Sequence, residues 1–214
     1  RRGTVEAVRR VARRGRGRLD AFRLQRRPLQ VAEEELATAL GDRKMIAALT
    51  FAGDVLPSLR RWETELASLD PTARASLIKR AEAVLEHRFD LLGSGLTDLG
   101  ATIDWSQDFK SGRVWPLDHI SRLPVSFPDG SDIKVPWELS RFQHLPLLAA
   151  VYRLTGDGRF LEEIGAQLER WIVANPVEFG VNWMSTMDVG IRGVNWVAGL
   201  AMCSSAETEP PWLT

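Results

Sequence analysis

The chain has 214 residues, of which 44% are hydrophobic and 26% charged, so it can bury one core and is not a disordered polymer. Its single cysteine, Cys203, excludes an internal disulfide and a cysteine-rich zinc site. The longest apolar runs fall well short of the roughly 20 residues that a transmembrane helix requires. These counts predict a globular domain with no transmembrane segment.

Positive charge is concentrated at the amino end, although the formal net charge of the chain is zero. Residues 1–27 contain eleven arginines and two acidic residues, whereas the rest of the chain contains 17 basic and 26 acidic residues. Apolar residues recur here with helical spacing until Pro28, so we predict a basic helical arm over residues 1–27. This arm either binds an anionic partner or lies solvated near the acidic body, and without a groove-reading motif no nucleic acid partner is expected.

Helical periodicity dominates residues 28–214, and no run of useful length alternates as a strand does. Asp70 before Pro71 has the pattern of an N-cap with proline in the first turn, and Asp157 is predicted to cap a later helix. Tight turns between long helices indicate antiparallel neighbours. The sequence therefore predicts an all-α fold built from antiparallel helical hairpins.

Three helices are predicted in the second half of the chain. The first covers residues 137–154, with a kink at Pro146 and an end at Gly156. The last covers residues 187–202 and opens with a capping box of Ser185 and Asp188. The middle helix has an apolar face that comprises Phe160, Leu161, Ile164, Leu168, Trp171 and Ile172.

Residues 90–136 interrupt this helical pattern with glycines and prolines and show no sustained period. A structureless loop of more than about 15 residues is uncommon in a compact domain and is often functional. The stretch also contains Trp105 and Trp115, whose large apolar rings require burial. We therefore predict a long ordered loop region that crosses the face of the helical body.

Seven of the eight tryptophans follow residue 100, and three of them lie beside polar residues at loop-to-helix junctions. These three are Trp105, Trp137 and Trp183. An indole in such a place either stacks on a sugar ring in a groove or closes the end of a helix. The sequence leaves both interpretations open.

Polar residues form two stripes on otherwise apolar helices. Trp137, Arg141 and His144 are spaced to share one helical face, and Glu138 is spaced to pair with Arg141. Asp188 and Arg192 are one turn apart on the last helix, and charges on so apolar a helix must pair or line a wet cavity. A structural Asp188–Arg192 ion pair and a ligand-binding role both remain possible interpretations.

Motifs for common chemistries are absent from the sequence, which has no phosphate loop, zinc-protease motif or serine-hydrolase elbow. The three histidines, His87, His119 and His144, are not at ligand spacing, so we expect neither a metal nor a cofactor. The one tyrosine, Tyr152, lies on an apolar helix face, where core packing is the expected role.

Several ordered runs together carry a family resemblance. They are Phe89–Gly93, Ile103–Lys110, Trp115-Pro116, Asp132–His144, Tyr152–Asp157, Asn175-Pro176, Val181–Asp188 and Arg192 through Trp196. Over residues 88–203 the chain resembles the N-terminal helical domain of the heparinase II/III-like polysaccharide lyases. One departure is Asp188, where the family pattern has a glutamate, which is longer but has the same charge.

The resemblance implies an incomplete (α/α) toroid over residues 28–214, followed downstream by an antiparallel β-sandwich domain. It implies cleavage of uronic-acid glycans by β-elimination, in which the uronate carboxylate is neutralised, a base removes the C5 proton and an acid protonates the departing O4. The family's catalytic asparagine and tyrosine segments have no counterpart in this sequence, so we expect the catalytic residues beyond Thr214. The resemblance also suggests a periplasmic or secreted protein.

The candidate substrate-binding residues come from the polar stripes and the tryptophan junctions. They are Lys134, Trp137, Glu138, Arg141, Asn182, Trp183, Asp188 and Arg192. The basic residues would meet the carboxylate or sulfate of an anionic polysaccharide, and the indoles would stack on its rings. Glu138 and Asp188 would orient the arginines.

Two other functions fit the same residues. A toroidal glycoside hydrolase of the inverting type needs two carboxylates about 6.5–9.5 Å apart, for which Asp104, Asp108 and Glu138 are the candidates. The other alternative is a catalytically silent glycan-binding or assembly module that uses the arginine-rich arm to dock a partner.

Overall fold

The computed structural model describes residue 62 and residues 64–204, so the predicted arm over residues 1–27 lies outside the described part. The described fold is mostly helical, with a few short strands. The helices are α1 (Pro71–Leu85), α2 (Lys134–Leu139), α3 (His144–Thr155), α4 (Gly158–Ala174) and α5 (Thr186–Ser204), with a 3-10 turn at Val181–Trp183. None of these helices combines the length and hydrophobicity that a bilayer crossing requires.

The predicted helix boundaries with local capping signals are confirmed. The Asp70 carboxylate accepts the backbone N–H groups of Thr72 and Ala73, and Pro71 begins α1. Asp157 caps α4 by accepting the backbone N–H of Arg159. Gly156 ends α3 in the left-handed conformation, with φ of 69°, which is the region where glycine carries no Cβ penalty.

The single helix predicted over residues 137–154 is wrong, because two helices occupy this stretch. α2 ends at Leu139, and the buried Phe142 adopts a φ of 56°, which no helix interior permits. α3 then begins at His144, and Pro146 falls in its first turn, where the missing N–H leaves no helical hydrogen bond unmade. Pro146 therefore produces no kink.

Helix α3 occupies the centre of the described core and packs against α1, α4 and α5. Its Leu145, Leu148 and Val151 are fully buried, as expected for a helix that is apolar around most of its circumference. α4 is amphipathic and turns Phe160, Ile164, Leu168 and Trp171 toward α3. The prediction that Ile172 shares this buried face is wrong, since its side chain is 56% exposed.

The predicted loop region over residues 90–136 contains two short antiparallel hairpins that the sequence did not reveal. β1 (Arg88–Asp90) pairs with β2 (Leu96–Asp98), and β3 (Gln107–Asp108) pairs with β4 (Arg113–Val114). A small second core of Trp115, Ile133 and Val181 anchors the region to the helical body, as its tryptophans predicted. The all-α prediction thus holds for the main architecture and is corrected at these strands.

Close packing of α5 on α3 depends on a glycine at position 199. A Cβ atom at Gly199 would lie 3.1 Å from Leu145 Cγ and 3.3 Å from the Leu145 carbonyl carbon, and it would overlap Leu145 Cδ2. Gly193, on the exposed side of the same helix, has open space in that direction.

We predict that Gly199→Ala lowers the free energy of unfolding by about 1–3 kcal/mol, because the added methyl overpacks the α3–α5 contact. The matched control, Gly193→Ala, should raise the same quantity by up to about 1 kcal/mol through its better helix propensity. Urea denaturation measures both. Equal effects of the two substitutions would contradict this packing.

Candidate functional site

Three chain segments bring most of the predicted site residues together. α2 and the junction after it supply Glu138 and Arg141, the 3-10 turn supplies Asn182, and α5 supplies Asp188 and Arg192. We call these five residues the internal polar cluster. Lys134 lies at the start of α2 with its side chain exposed, and no contact among the described residues joins its ammonium group to the cluster.

Arg141 ties the cluster together across the α2–α3 junction. Its Nε donates to Asp188 Oδ1 at 2.6 Å, and its Nη1 donates to the Glu138 carboxylate, which confirms the predicted Glu138–Arg141 pair. Burial alone would lower the pKa of Arg141, but the hydrogen bond to Asp188 and the charge of Glu138 raise it above its ordinary value. Its carbonyl oxygen also accepts a hydrogen bond from Asn195 Nδ2 on α5, at 2.8 Å.

Of the two interpretations left open for Asp188 and Arg192, the direct ion pair is not found, because Arg141 occupies the place of the partner. Asp188 is 1% exposed, and its ion-pair contact among the described residues is with Arg141, 47 residues away in the chain. Its second carboxylate oxygen, Oδ2, is buried and has no donor within the described part of the chain.

Arg192 is held by aromatic faces and carbonyl oxygens. Its guanidinium carbon lies 4.2 Å from the ring centroid of Trp171 and 5.0 Å from that of Trp183, and its Nη atoms donate to the carbonyl oxygen of Asn182 at 3.3 Å. Burial lowers its pKa to about 10, and the charge of Asp188 opposes that shift. Arg192 therefore remains a cation at neutral pH while being only 3% exposed.

Two of the three junction tryptophans donate their indole N–H to the protein backbone, whereas Trp105 Nε1 is buried without an acceptor among the described residues. Trp137 Nε1 donates to the Val181 carbonyl at 2.8 Å, and Trp183 Nε1 donates to the Asn175 carbonyl at 3.0 Å. Trp105 is buried and stacks on Phe142, with ring centroids 5.0 Å apart. These contacts favour the interpretation that the indoles close the ends of the helices.

Asn182, in the 3-10 turn, is hydrogen-bonded to the segments around it. Its Nδ2 donates to the Trp105 carbonyl and to Asn175 Oδ1, each at 2.8 Å, and the residue is 1% exposed. Asn182, Asp188 and Arg192 are therefore internal, whereas Glu138, Arg141, Trp137 and Trp183 are partly accessible. A ligand at the surface can contact only the partly accessible residues unless the internal ones rearrange.

His144 does not share a helical face with Trp137 and Arg141, because the helix is interrupted after α2 and His144 begins α3. Its Nε2 lies 2.7 Å from Gln167 Oε1, and Gln167 Nε2 donates to Glu163 Oε1. His144 therefore carries its proton on Nε2. Burial lowers the pKa of His144 to about 4, which keeps the ring neutral at pH 7.

The carboxylates proposed for a hydrolase have structural partners. The Asp108 carboxylate accepts the Ser111 hydroxyl at 2.7 Å and the Lys110 and Asp132 backbone N–H groups at 2.9 and 3.0 Å. Burial opposes ionisation of Asp108, but these hydrogen bonds prevail and lower its pKa. An ionised carboxylate so occupied is unsuited to act as a general acid, which argues against Asp108 in that role.

Two features of the site were not predicted from the sequence. Ser140 and Trp171 complete the surroundings of Arg192, and a hydrogen bond from Trp171 Nε1 to Ser140 Oγ at 3.1 Å joins them. Both lie far from Arg192 in the chain, so no local spacing points to them. Within the described residues no group of three or more His, Cys, Asp or Glu side chains is arranged to hold a metal ion.

Comparison with known proteins places this architecture in a family. The model of the heparinase II/III N-terminus matches residues 22–207, so the chain belongs to that family. No curated protein matches the chain. A solved structure of a heparan sulfate lyase HepC mutant from Pedobacter heparinus is similar, with 19% identity and a TM-score of 0.45 over 80% of this chain. This chain spans about a quarter (25%) of the length of that protein.

A double-mutant cycle tests which arginine compensates Asp188. We predict that Arg141→Ala lowers the free energy of unfolding by about 3 kcal/mol, because it leaves a buried carboxylate without its partner. Combined with Asp188→Ala it should show a coupling energy of about 1–3 kcal/mol in urea denaturation. The control cycle of Arg192→Ala with Asp188→Ala should give a smaller coupling. A larger coupling for Arg192 would contradict the assignment.

Proposed function

We propose that this chain is the N-terminal part of a polysaccharide lyase that cleaves uronic-acid-containing anionic glycans by β-elimination. The observation that carries the proposal is membership of the heparinase II/III N-terminal family over residues 22–207. We further propose that residues 28–214 form part of an incomplete (α/α) toroid and that a β-sandwich domain follows. Heparin-like, heparan-sulfate-like and alginate-like chains are the proposed substrates.

The proposed β-elimination needs groups that bind the uronate carboxylate and groups that transfer protons. Removal of the C5 proton by a base forms a C4–C5 double bond while the C4–O4 bond breaks, and an acid protonates the departing O4. Neutralisation of the uronate carboxylate makes the C5 proton acidic enough to remove. In this proposal the catalytic asparagine and tyrosine lie beyond Thr214, and Tyr152, which packs against the core, takes no part.

The proposed contribution of this chain is to bind and position the glycan. Arg141 and Lys134 supply partly or fully accessible cations for carboxylate or sulfate groups, and the accessible edges of Trp137 and Trp183 supply apolar contact with sugar rings. The proposed role of the buried residues Asn182, Asp188 and Arg192 is indirect. Their hydrogen bonds hold the α2–α3 junction, which contains Arg141, in place. Glu138 orients Arg141 through their ion pair.

We predict that the full-length protein converts at least one of heparin, heparan sulfate and alginate into products with the ultraviolet absorbance of an unsaturated uronate. Residues 1–214 alone should give no turnover, because the proposed catalytic residues lie outside them. The measurement is absorbance together with a reducing-end assay. Reducing ends without absorbance would indicate a hydrolase, and binding without either signal would indicate a silent glycan-binding module.

A further inference from the structure

A cavity of about 920 Å³ lies beside the internal polar cluster, on the opposite side of Glu138. Its walls are α1, the β1–β2 hairpin and the α2–α3 junction, and we call it the α1 cavity. Lys79, Arg80, Arg88, Glu138, Gln143 and His144 are the lining residues that matter here. Cavities of this volume hold small ligands, and this one is large enough for a short saccharide.

The charges of the α1 cavity leave cations available. Two of its four carboxylates are in ion pairs with arginines, since Glu86 pairs with Arg88 and Glu138 pairs with Arg141. Lys79 and Arg80 are exposed on α1 and have no ion-pair partner among the described residues. Two lining carboxylates, Glu82 and Asp90, are likewise outside ion pairs among the described residues, so these four groups carry no net charge. Lys79 and Arg80 are nevertheless available to an anionic group that approaches α1.

The cavity wall also holds hydrogen-bonding groups with unused capacity. Arg88 Nε is buried and has no acceptor within the described part of the chain. The neutral His144 carries its proton on Nε2 toward Gln167, so its Nδ1 is an acceptor. Arg88 Nε can donate to a sugar oxygen, and His144 Nδ1 can accept from a sugar hydroxyl group.

Glu138 connects this cavity to the residues predicted from the sequence. Its Oε1 accepts a hydrogen bond from Gln143 Nε2 at 3.1 Å, and its other oxygen accepts one from Arg141. Both Glu138 and Gln143 line the cavity. Glu138 therefore lies between the α1 cavity and the Arg141 guanidinium.

We propose that the α1 cavity is a subsite for an anionic saccharide, in which Lys79 and Arg80 attract a carboxylate or sulfate group and Arg88 and His144 bind sugar oxygens. The inference rests on the proposed function, since it places part of the same glycan at a site that the sequence analysis did not identify. The subsite binds the glycan and supplies no catalytic group.

The test compares two exposed arginines in the full-length protein. Arg80→Gln removes a cation from the cavity, whereas Arg170→Gln removes one from the exposed side of α4, outside the cavity. Affinities for a heparin oligosaccharide and an alginate oligosaccharide are measured by calorimetry at low and high salt. We expect Arg80→Gln to weaken binding on the order of tenfold at low salt, with less effect at high salt. Arg170→Gln should leave the affinity nearly unchanged.

Equal losses for the two variants, or no loss for Arg80→Gln, would overturn the subsite. Dependence on Arg80 with both glycans indicates recognition of carboxylate, and dependence with heparin alone indicates recognition of sulfate. The absorbance assay on the same wild-type protein is a separate readout. Turnover by the wild type with unchanged affinity in Arg80→Gln rejects the subsite and leaves the lyase proposal intact, whereas Arg80-dependent binding without turnover rejects only the lyase.

Discussion

The described fold depends on how one buried carboxylate is compensated. Asp188 is almost inaccessible to water, and removing an ionised carboxylate from water costs several kcal/mol unless a cation meets it. Arg141 meets it from the α2–α3 junction, so the start of α5 and that junction are fixed relative to each other. The left-handed residue Phe142 lies next to Arg141, and its ring packs among Trp105, Trp171 and Trp196.

This arrangement separates an interior framework from an accessible edge. The interior framework consists of Asn182, Asp188 and Arg192, and the accessible edge consists of Trp137, Glu138, Arg141 and Trp183. Arg192 gains about 2 kcal/mol from a desolvated cation–π contact and is shielded by the same rings, so it stabilises the fold more readily than it meets a ligand. Glu138 and Arg141 lie at the boundary, with one side on Asp188 and the other toward the α1 cavity.

The sequence predicted those features whose cause is local. The caps at Asp70 and Asp157 depend on residues two or three positions away, and the predicted helix starts there were confirmed. The break before α3 was missed because Phe142 adopts its left-handed conformation to place a large ring in the core, which only distant residues determine. The partner of Asp188 was missed for the same reason, since helical spacing offers Arg192 and only tertiary structure brings Arg141.

We propose that the glycan contacts the accessible edge and leaves the interior framework undisturbed. A crystal structure of the full-length protein with a bound uronate oligosaccharide tests it most directly. We predict a contact of a saccharide carboxylate or sulfate with Arg141, while Arg192 keeps its position between Trp171 and Trp183 and touches no sugar atom. A sugar carboxylate within hydrogen-bonding distance of the Arg192 guanidinium would contradict the claim.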